Sequence, residues 1–214
     1  MSKLLKHLHT VHVHRKTVRK WCFKMGIPVQ GLLHDLSKYS IAELSIAKYY
    51  VGTKSPHQVA RETVGFSKSW NHHYHRNKHH FQYWWDEDET GKIIPVKMPY
   101  RYVVESFCDM VGAGKAYLKD KWTIHSPLEY YNAKCQDRLM HPESKLLLEC
   151  LLIELDRSSS VKAFLQSYKF FKKYLKDAYK TSGIHFLEAF KENANGIGSP
   201  FVPKGKENTN EKIN

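Results

Sequence analysis

No apolar run in this sequence approaches the roughly 18 residues that cross a bilayer, so no membrane span is expected. The N-terminus, MSKLLKHLHTVHVHRK, has no sustained apolar stretch before its charges and is not expected to act as a secretory signal. Cysteine is scarce: Cys22, Cys108, Cys135 and Cys150 stand far apart, with no C-x-x-C. A zinc ribbon or a thioredoxin-like redox pair is therefore unsupported, and a cytoplasmic protein with free thiols is the expectation. Acid is also short. Against 34 Lys and Arg stand 21 Asp and Glu, a formal charge of +13. Such an excess favours anionic partners: phosphates, nucleotides or nucleic acid.

The 214 residues suffice for one domain with its own core. A 42% hydrophobic and 13% aromatic content excludes a wholly disordered chain. Helix signals dominate. Residues 2–25 read as one amphipathic helix stopped by Gly26 and Pro28, and 29–38 as a second, shorter one. Ser40 with Glu43 has the form of a capping box. Ser55-Pro56 opens a long helical segment to about residue 85, with a break at Gly65. Residues 86–99 read as a loop with a small hairpin at Thr90-Gly91. Further helices are predicted from Pro99 to about Lys119, from Ser126-Pro127, from Pro142 to about Asp156, and over 160–182 before Gly183. From Lys191 the chain turns polar and aperiodic, which predicts a flexible tail over 191–214. The fold class is all-α.

Fourteen histidines are many for this length, and five fall between residues 72 and 80. On the first helix His14 lies beside the stripe Leu4, Val11, Val18, Cys22, Met25; His7 shares that face, whereas His9 and His12 point away. On a helix through NHHYHRNKHH, the apolar side is marked by Phe66, Trp70, Phe81 and Trp84. His73 and His80 flank that side with Asn77 between them, and His72, His75 and His79 fall nearly opposite. An inward Asn between inward histidines is costly unless all three are bonded. His34-Asp35 sits between Leu33 and Leu36, where an ionised Asp needs a partner, and two helical neighbours can address one ion only over their shared edge. Asp109 lies in a helix apolar or small nearly all round and needs a counter-charge as well; Glu105, one turn earlier, is a second candidate acid. Ser106, Gly112 and Ala113 beside it permit a close helix approach. His and Asp together make a nitrogen and oxygen set suited to Mn, Fe, Co, Ni or Zn. An ion so held keeps positions open for water and a substrate oxygen.

The order H … HD … H … H … D, carried by His14, His34-Asp35, the 72–80 cluster and Asp109, resembles the HD-domain superfamily of metal-dependent phosphohydrolases. HDLSK (34–38) is similar to its HD-x-x-K segment. The runs GLLHDLSKYS, RNKHH and MPYRYVVESFCDMVGAGKAY resemble, more narrowly, an uncharacterised family of small bacterial and phage proteins sometimes labelled catalase, although nothing here supports haem chemistry. The resemblance implies an HD-like helical core over 1–125, with C-terminal helices over 126–190 packed on it. It implies one metal ligated by His14, His34, Asp35 and Asp109, with His73 and His80 ligating a second ion or holding substrate. It implies hydrolysis of a phosphate ester, a nucleotide or cyclic nucleotide. Asp35 would then be a ligand and a candidate base, Lys38 would act on the phosphate, and Lys38, His73, Arg76, Asn77, Lys78 and His80 would bind substrate. The Gly-Tyr-Pro motif of the cyclic-dinucleotide subgroup is lacking.

Three rival readings remain open: an HD-type protein with two irons that activates oxygen, a non-catalytic binder of nucleotide or nucleic acid, and a metal that only staples the bundle. For the binder, the last helix interleaves Lys162, Lys169, Lys172, Lys173, Lys176 and Lys180 with Phe164, Tyr168, Phe171, Tyr174 and Tyr179. Aromatics at helical spacing are more often core.

Overall fold

Ser2 accepts from Leu5 N through its hydroxyl and so starts helix α1 (Lys3–Lys24). In the computed structural model, which describes residues 2–135 and 137–181, α1 buries His7, Val11, His14, Val18, Trp21 and Cys22, the spacing of one helix face. Leu4, expected on this stripe, lies exposed at its free end. Helix α2 (Pro28–Leu33) folds back on α1, where Gly31 leaves room: a Cβ there would lie 2.7 Å from Cys22 Cβ. The segment 29–38 is not one helix. It breaks after Leu33 and resumes as a 3-10 turn, Leu36–Tyr39.

Ser40 caps the short α3 (Ile41–Leu44), accepting from Glu43 N as the capping box predicts. Helix α4 (Pro56–Val64) begins on Pro56 and ends at Gly65, whose φ of 81° is the left-handed stop that glycine allows. Ser67 then caps α5 (Lys68–Tyr74). The long helix expected up to residue 85 does not continue past Tyr74. Asn77 Nδ2 donates to His73 O at 2.7 Å and takes an acceptor that another helical turn would use. The chain turns through 75–80 and enters a 3-10 turn, Phe81–Trp84. It then forms the hairpin of β1 (Trp85–Glu87) and β2 (Ile93–Pro95), closed around Thr90-Gly91 as expected.

Helix α6 (Tyr100–Leu118) crosses α1 at Gly112, where a methyl would overlap the Val18 side chain. Behind α6 pack α7 (Ser126–Lys134), α8 (Pro142–Arg157) and α9 (Val161–Thr181). One core runs through both halves of the chain, from Val18, Trp21, Phe107 and Val111 to Leu147, Leu151 and Phe164. Phe164, Tyr168 and Tyr179 on α9 belong to that core, while Tyr174 is exposed. The fold is all-α with one small hairpin, and among the described residues no helix is long and apolar enough to cross a membrane. The tail predicted over 191–214, and Gly183, lie outside the described residues.

Candidate metal centre

The centre starts from the break between α2 and the following turn. His34 has ψ 125° and Asp35 φ 54°, a left-handed backbone that Asp tolerates better than most residues. Arg15 on α1 pins the break: its Nε donates to His34 O at 2.8 Å, Nη2 donates to Leu32 O at 3.4 Å, and the guanidinium covers the Tyr39 ring. His34 and Asp35 are thereby turned inward, 2% and 0% exposed, while Leu33 and Leu36 face out at 60% and 49%. This corrects the expectation of a helical dipeptide with apolar flanks. Both side chains point to one place because the backbone is not helical there.

Around Asp35 Oδ2 gather His14 Nε2 at 3.1 Å, His34 Nε2 at 3.3 Å and Lys38 Nζ at 2.6 Å. Asp109 Oδ1 closes the group, 3.1 Å from His14 Nε2 and 3.4 Å from His34 Nε2. The four residues expected to hold one ion are therefore together. The other oxygen, Asp35 Oδ1, faces His73 Nε2 at 3.3 Å and His79 Nε2 at 3.6 Å. His80 joins this second side, its ring 4.1 Å from that of His79 and 4.7 Å from that of His73. Within each group, Asp35 with His73, His79 and His80, and Asp35 with His14, His34 and Asp109, the candidate ligand atoms all lie within 4.8 Å of one another.

His79 corrects the sequence expectation. The helical wheel placed it opposite the core, yet it is 2% exposed. Because α5 stops early, the wheel does not apply beyond Tyr74, and the turn carries His79 and His80 side by side to the centre. Ser106 on α6 holds this turn by donating to His79 O. Asn77 points inward as expected, and its amide donates to Ser37 Oγ at 2.7 Å as well as to the His73 carbonyl. His73 and His80 lie at the centre; Arg76 and Lys78 are exposed, with the Lys78 ammonium over the rings of Tyr83 and Tyr102.

A second layer of carboxylates orients the rings. Glu105 Oε1 accepts from His34 Nδ1 at 2.9 Å and lies 3.2 Å from His79 Nδ1. Glu43 accepts from His73 Nδ1 at 2.7 Å and from His72 Nδ1 at 3.0 Å. A carboxylate can only accept, so Nδ1 carries a proton, and a ring that gives up its other proton would turn the Nε2 lone pair to the centre, the arrangement by which outer carboxylates prepare metal-ligating histidines. Glu105 was a candidate acid from its position; nothing local in the sequence marks Glu43 beyond its cap.

The electrostatics also call for a cation. Burial alone would raise Asp35 and Asp109, but neighbouring charges and hydrogen bonds outweigh it and hold both well below the usual carboxylate range: His34, Lys38 and His73 for Asp35, His14 and His34 for Asp109. Burial would lower His34, yet Asp35, Asp109 and Glu105 push it well above its ordinary value. Burial, helped by the neighbouring His79 and His73, keeps His80 neutral. Among the described residues, Asp35, Asp109, Glu43 and Glu105 thus face one amine, Lys38, and imidazoles whose charge depends on protonation. Three ligand-type atoms, Asp35 Oδ1, His79 Nε2 and His80 Nε2, are buried without a hydrogen-bond partner. Unpaired buried lone pairs converging on one spot are costly unless something accepts them. The residues present fit a divalent transition ion on either side of Asp35.

Once α1, the 34–39 break, α5 and α6 are assembled, the sequence matches a known family. Over residues 3–153 the chain matches the group described as "Family of unknown function (DUF5662)". It belongs to that family, and the matched span contains every residue of the centre. No curated protein and no solved structure matches it.

Proposed function

We propose that this protein is a metal-dependent phosphohydrolase acting on a phosphate ester, a nucleotide or cyclic nucleotide, with one or two ions of Mn, Fe, Co, Ni or Zn. The observation that carries the reading is Asp35, whose two oxygens each serve a different group of ligand atoms. A carboxylate shared by two nitrogen-rich groups would suit a pair of ions, with Lewis acidity supplied towards a phosphoryl group. His14, His34, Asp35 and Asp109 would hold one ion, and Asp35, His73, His79 and His80 the other. Bound there, an ion supplies Lewis acidity towards water and a phosphoryl oxygen.

The chain's own residues supply the rest. Lys38 Nζ, partly exposed beside Asp35, neutralises a phosphate oxygen as negative charge grows on it. Asp35 is wholly enclosed and both oxygens are committed, so it serves as ligand. Asp109, 20% exposed along its side chain, would take a proton at Oδ2 from the water that attacks phosphorus, as the P–O bond to the leaving oxygen breaks and that oxygen is protonated from solvent. With its pKa held well below the usual carboxylate range, Asp109 stays ionised and so able to accept a proton. Glu43 and Glu105 hold the imidazoles in register. Substrate is an anionic phosphate-bearing small molecule, in keeping with the +13 charge.

The test is elemental analysis of the purified protein beside Asp109→Ala, followed by hydrolysis assays with phosphomonoesters, cyclic nucleotides and dinucleotides. Metal in the wild type, less in the variant, and turnover of one of these classes support the reading. Protein saturated with Mn, Fe, Co or Ni that hydrolyses none of them overturns it. A second reading, a two-iron centre that activates oxygen, draws on the three-histidine group of His73, His79 and His80. Two irons per chain with redox-dependent absorption would favour it.

A further inference from the structure

Two arginines beside the centre have no part in holding it. Arg61 on α4 lies over the Trp70 ring, its Cζ 5.3 Å from the centroid. Trp70 in turn packs edge-on against His80, ring centroids 4.8 Å apart. Arg138, in the connection between α7 and α8, lies over the Phe81 ring at 5.8 Å, and Phe81 directly follows His80. Each guanidinium is thus one ring away from the same ligand. Both residues are exposed, and among the described residues neither is in an ion pair.

They are also close enough to repel. Arg61 is lowered by burial and then by the charge of Arg138, while Tyr130 acts in the other direction. Burial first raises the Tyr130 phenol, and the charge of Arg138 pulls it the other way. Stacking on Trp70 and on Phe81, the ring that packs on His80 and the residue that follows it, therefore places both like charges on the His80 side of the centre. Stacked guanidiniums are oriented by their rings; Arg138 spends its Nε on Lys134 O at 3.2 Å, and the terminal N–H groups are left for an anion. Lys38 lies against the other oxygen of Asp35, so the cations are divided between the two sides of the metal groups.

We propose that Arg61 and Arg138 form a second anion subsite at the rim of the centre, taking the outlying phosphate of a substrate that carries a chain of phosphates. This deepens the phosphohydrolase reading and rests on it for the position of the reacting phosphate. A substrate with one phosphate fills the centre alone. One with a di- or triphosphate chain reaches both.

Calorimetric titration of the full chain with orthophosphate and with inorganic tripolyphosphate tests this. The titrations are run at constant ionic strength, with manganese and after chelation. The variants are Arg61→Gln/Arg138→Gln and, as a control removing equal charge far from the rim, Lys169→Gln/Lys173→Gln. The first variant is expected to weaken tripolyphosphate roughly tenfold or more, the loss of one or two charge-assisted hydrogen bonds. It should leave orthophosphate within about twofold, and the control should alter neither. Tripolyphosphate affinity unchanged in the arginine variant, or lowered equally in the lysine control, overturns the subsite. If manganese strengthens neither ligand, the phosphohydrolase reading fails by itself, and a selective loss in the arginine variant still supports the subsite. Circular dichroism of both variants confirms that the exposed substitutions leave the fold in place.

Discussion

Glu43 accepts a hydrogen bond from His73 Nδ1 at 2.7 Å, and this bond decides which nitrogen of the ring meets Asp35 Oδ1. Removing the charge of Glu43 while keeping its shape should cost ion affinity on the His73 side alone. For Glu43→Gln, the expected loss is about 10–100-fold in affinity of one ion, with the other unchanged. Competition titration with a chromophoric chelator reads both affinities. Equal weakening of the two would show that Glu43 acts through the fold and not through His73.

Asp35 and Asp109 should differ in how many ions they govern. The left-handed backbone at residue 35 suits Asn about as well as Asp, so Asp35→Asn changes charge with little change of shape. It is expected to empty both groups, because each shares this carboxylate. Asp109→Asn should empty only the group with His14 and His34. Metal-to-protein ratios after dialysis check this. Two ions retained by Asp35→Asn would contradict the bridging role.

Gly112→Ala should destabilise the protein by about 1–3 kcal/mol through overpacking. The added methyl meets Val18 and lies 3.5 Å from His14 Nδ1, so α1 must give way beside a ligand. Thermal denaturation measures the loss, and ion affinity on the His14 side should fall with it. A variant as stable as wild type would show that the crossing has slack.

Acid should weaken the fold below neutrality through His57. Burial first, then the charges of Lys38, His73 and Arg61, hold this imidazole well below its ordinary value. In the unfolded chain it takes up a proton below about pH 6.5, while in the folded chain it stays neutral, so the unfolded state binds more protons and stability falls as pH falls. His34 has the opposite sign: raised, it contributes its full stability below about pH 6.5 and loses it as pH rises through its folded value. The two effects occupy different windows. Melting temperature followed from pH 6.5 down to 5 should drop more steeply for wild type than for His57→Gln. Parallel curves would refute the assignment.

The sequence was most legible where local chemistry decides structure. Ser40 with Glu43, Ser55-Pro56 and Gly65 each act within one turn, and each appears where expected. His14 lies on the buried face that helix periodicity gives it, whereas the convergence of His34, Asp35 and Asp109 on it is legible only in the order of the motif, since the backbone at 34–35 is not helical. The miss at His79 has a tertiary cause. RNKHH contains no Gly or Pro to announce a turn, and the end of α5 is set by the Asn77 amide on the His73 carbonyl and by Ser106 on the His79 carbonyl. The break at His34 is equally silent, since Arg15, nineteen residues earlier, secures it. Distant partners of this kind leave no periodic mark.

The seam between Val18 and Gly112 has an effect beyond packing density. His14 sits one turn from Val18, so the seat of Val18 against the glycine indexes where along α6 that imidazole comes to rest. Slippage by a single residue would swing the ring around the helix axis, away from Asp109. A change buried among aliphatic side chains would then be felt as poor ion capture, and screening the core of this protein for loss of metal would find mutations that never touch a ligand.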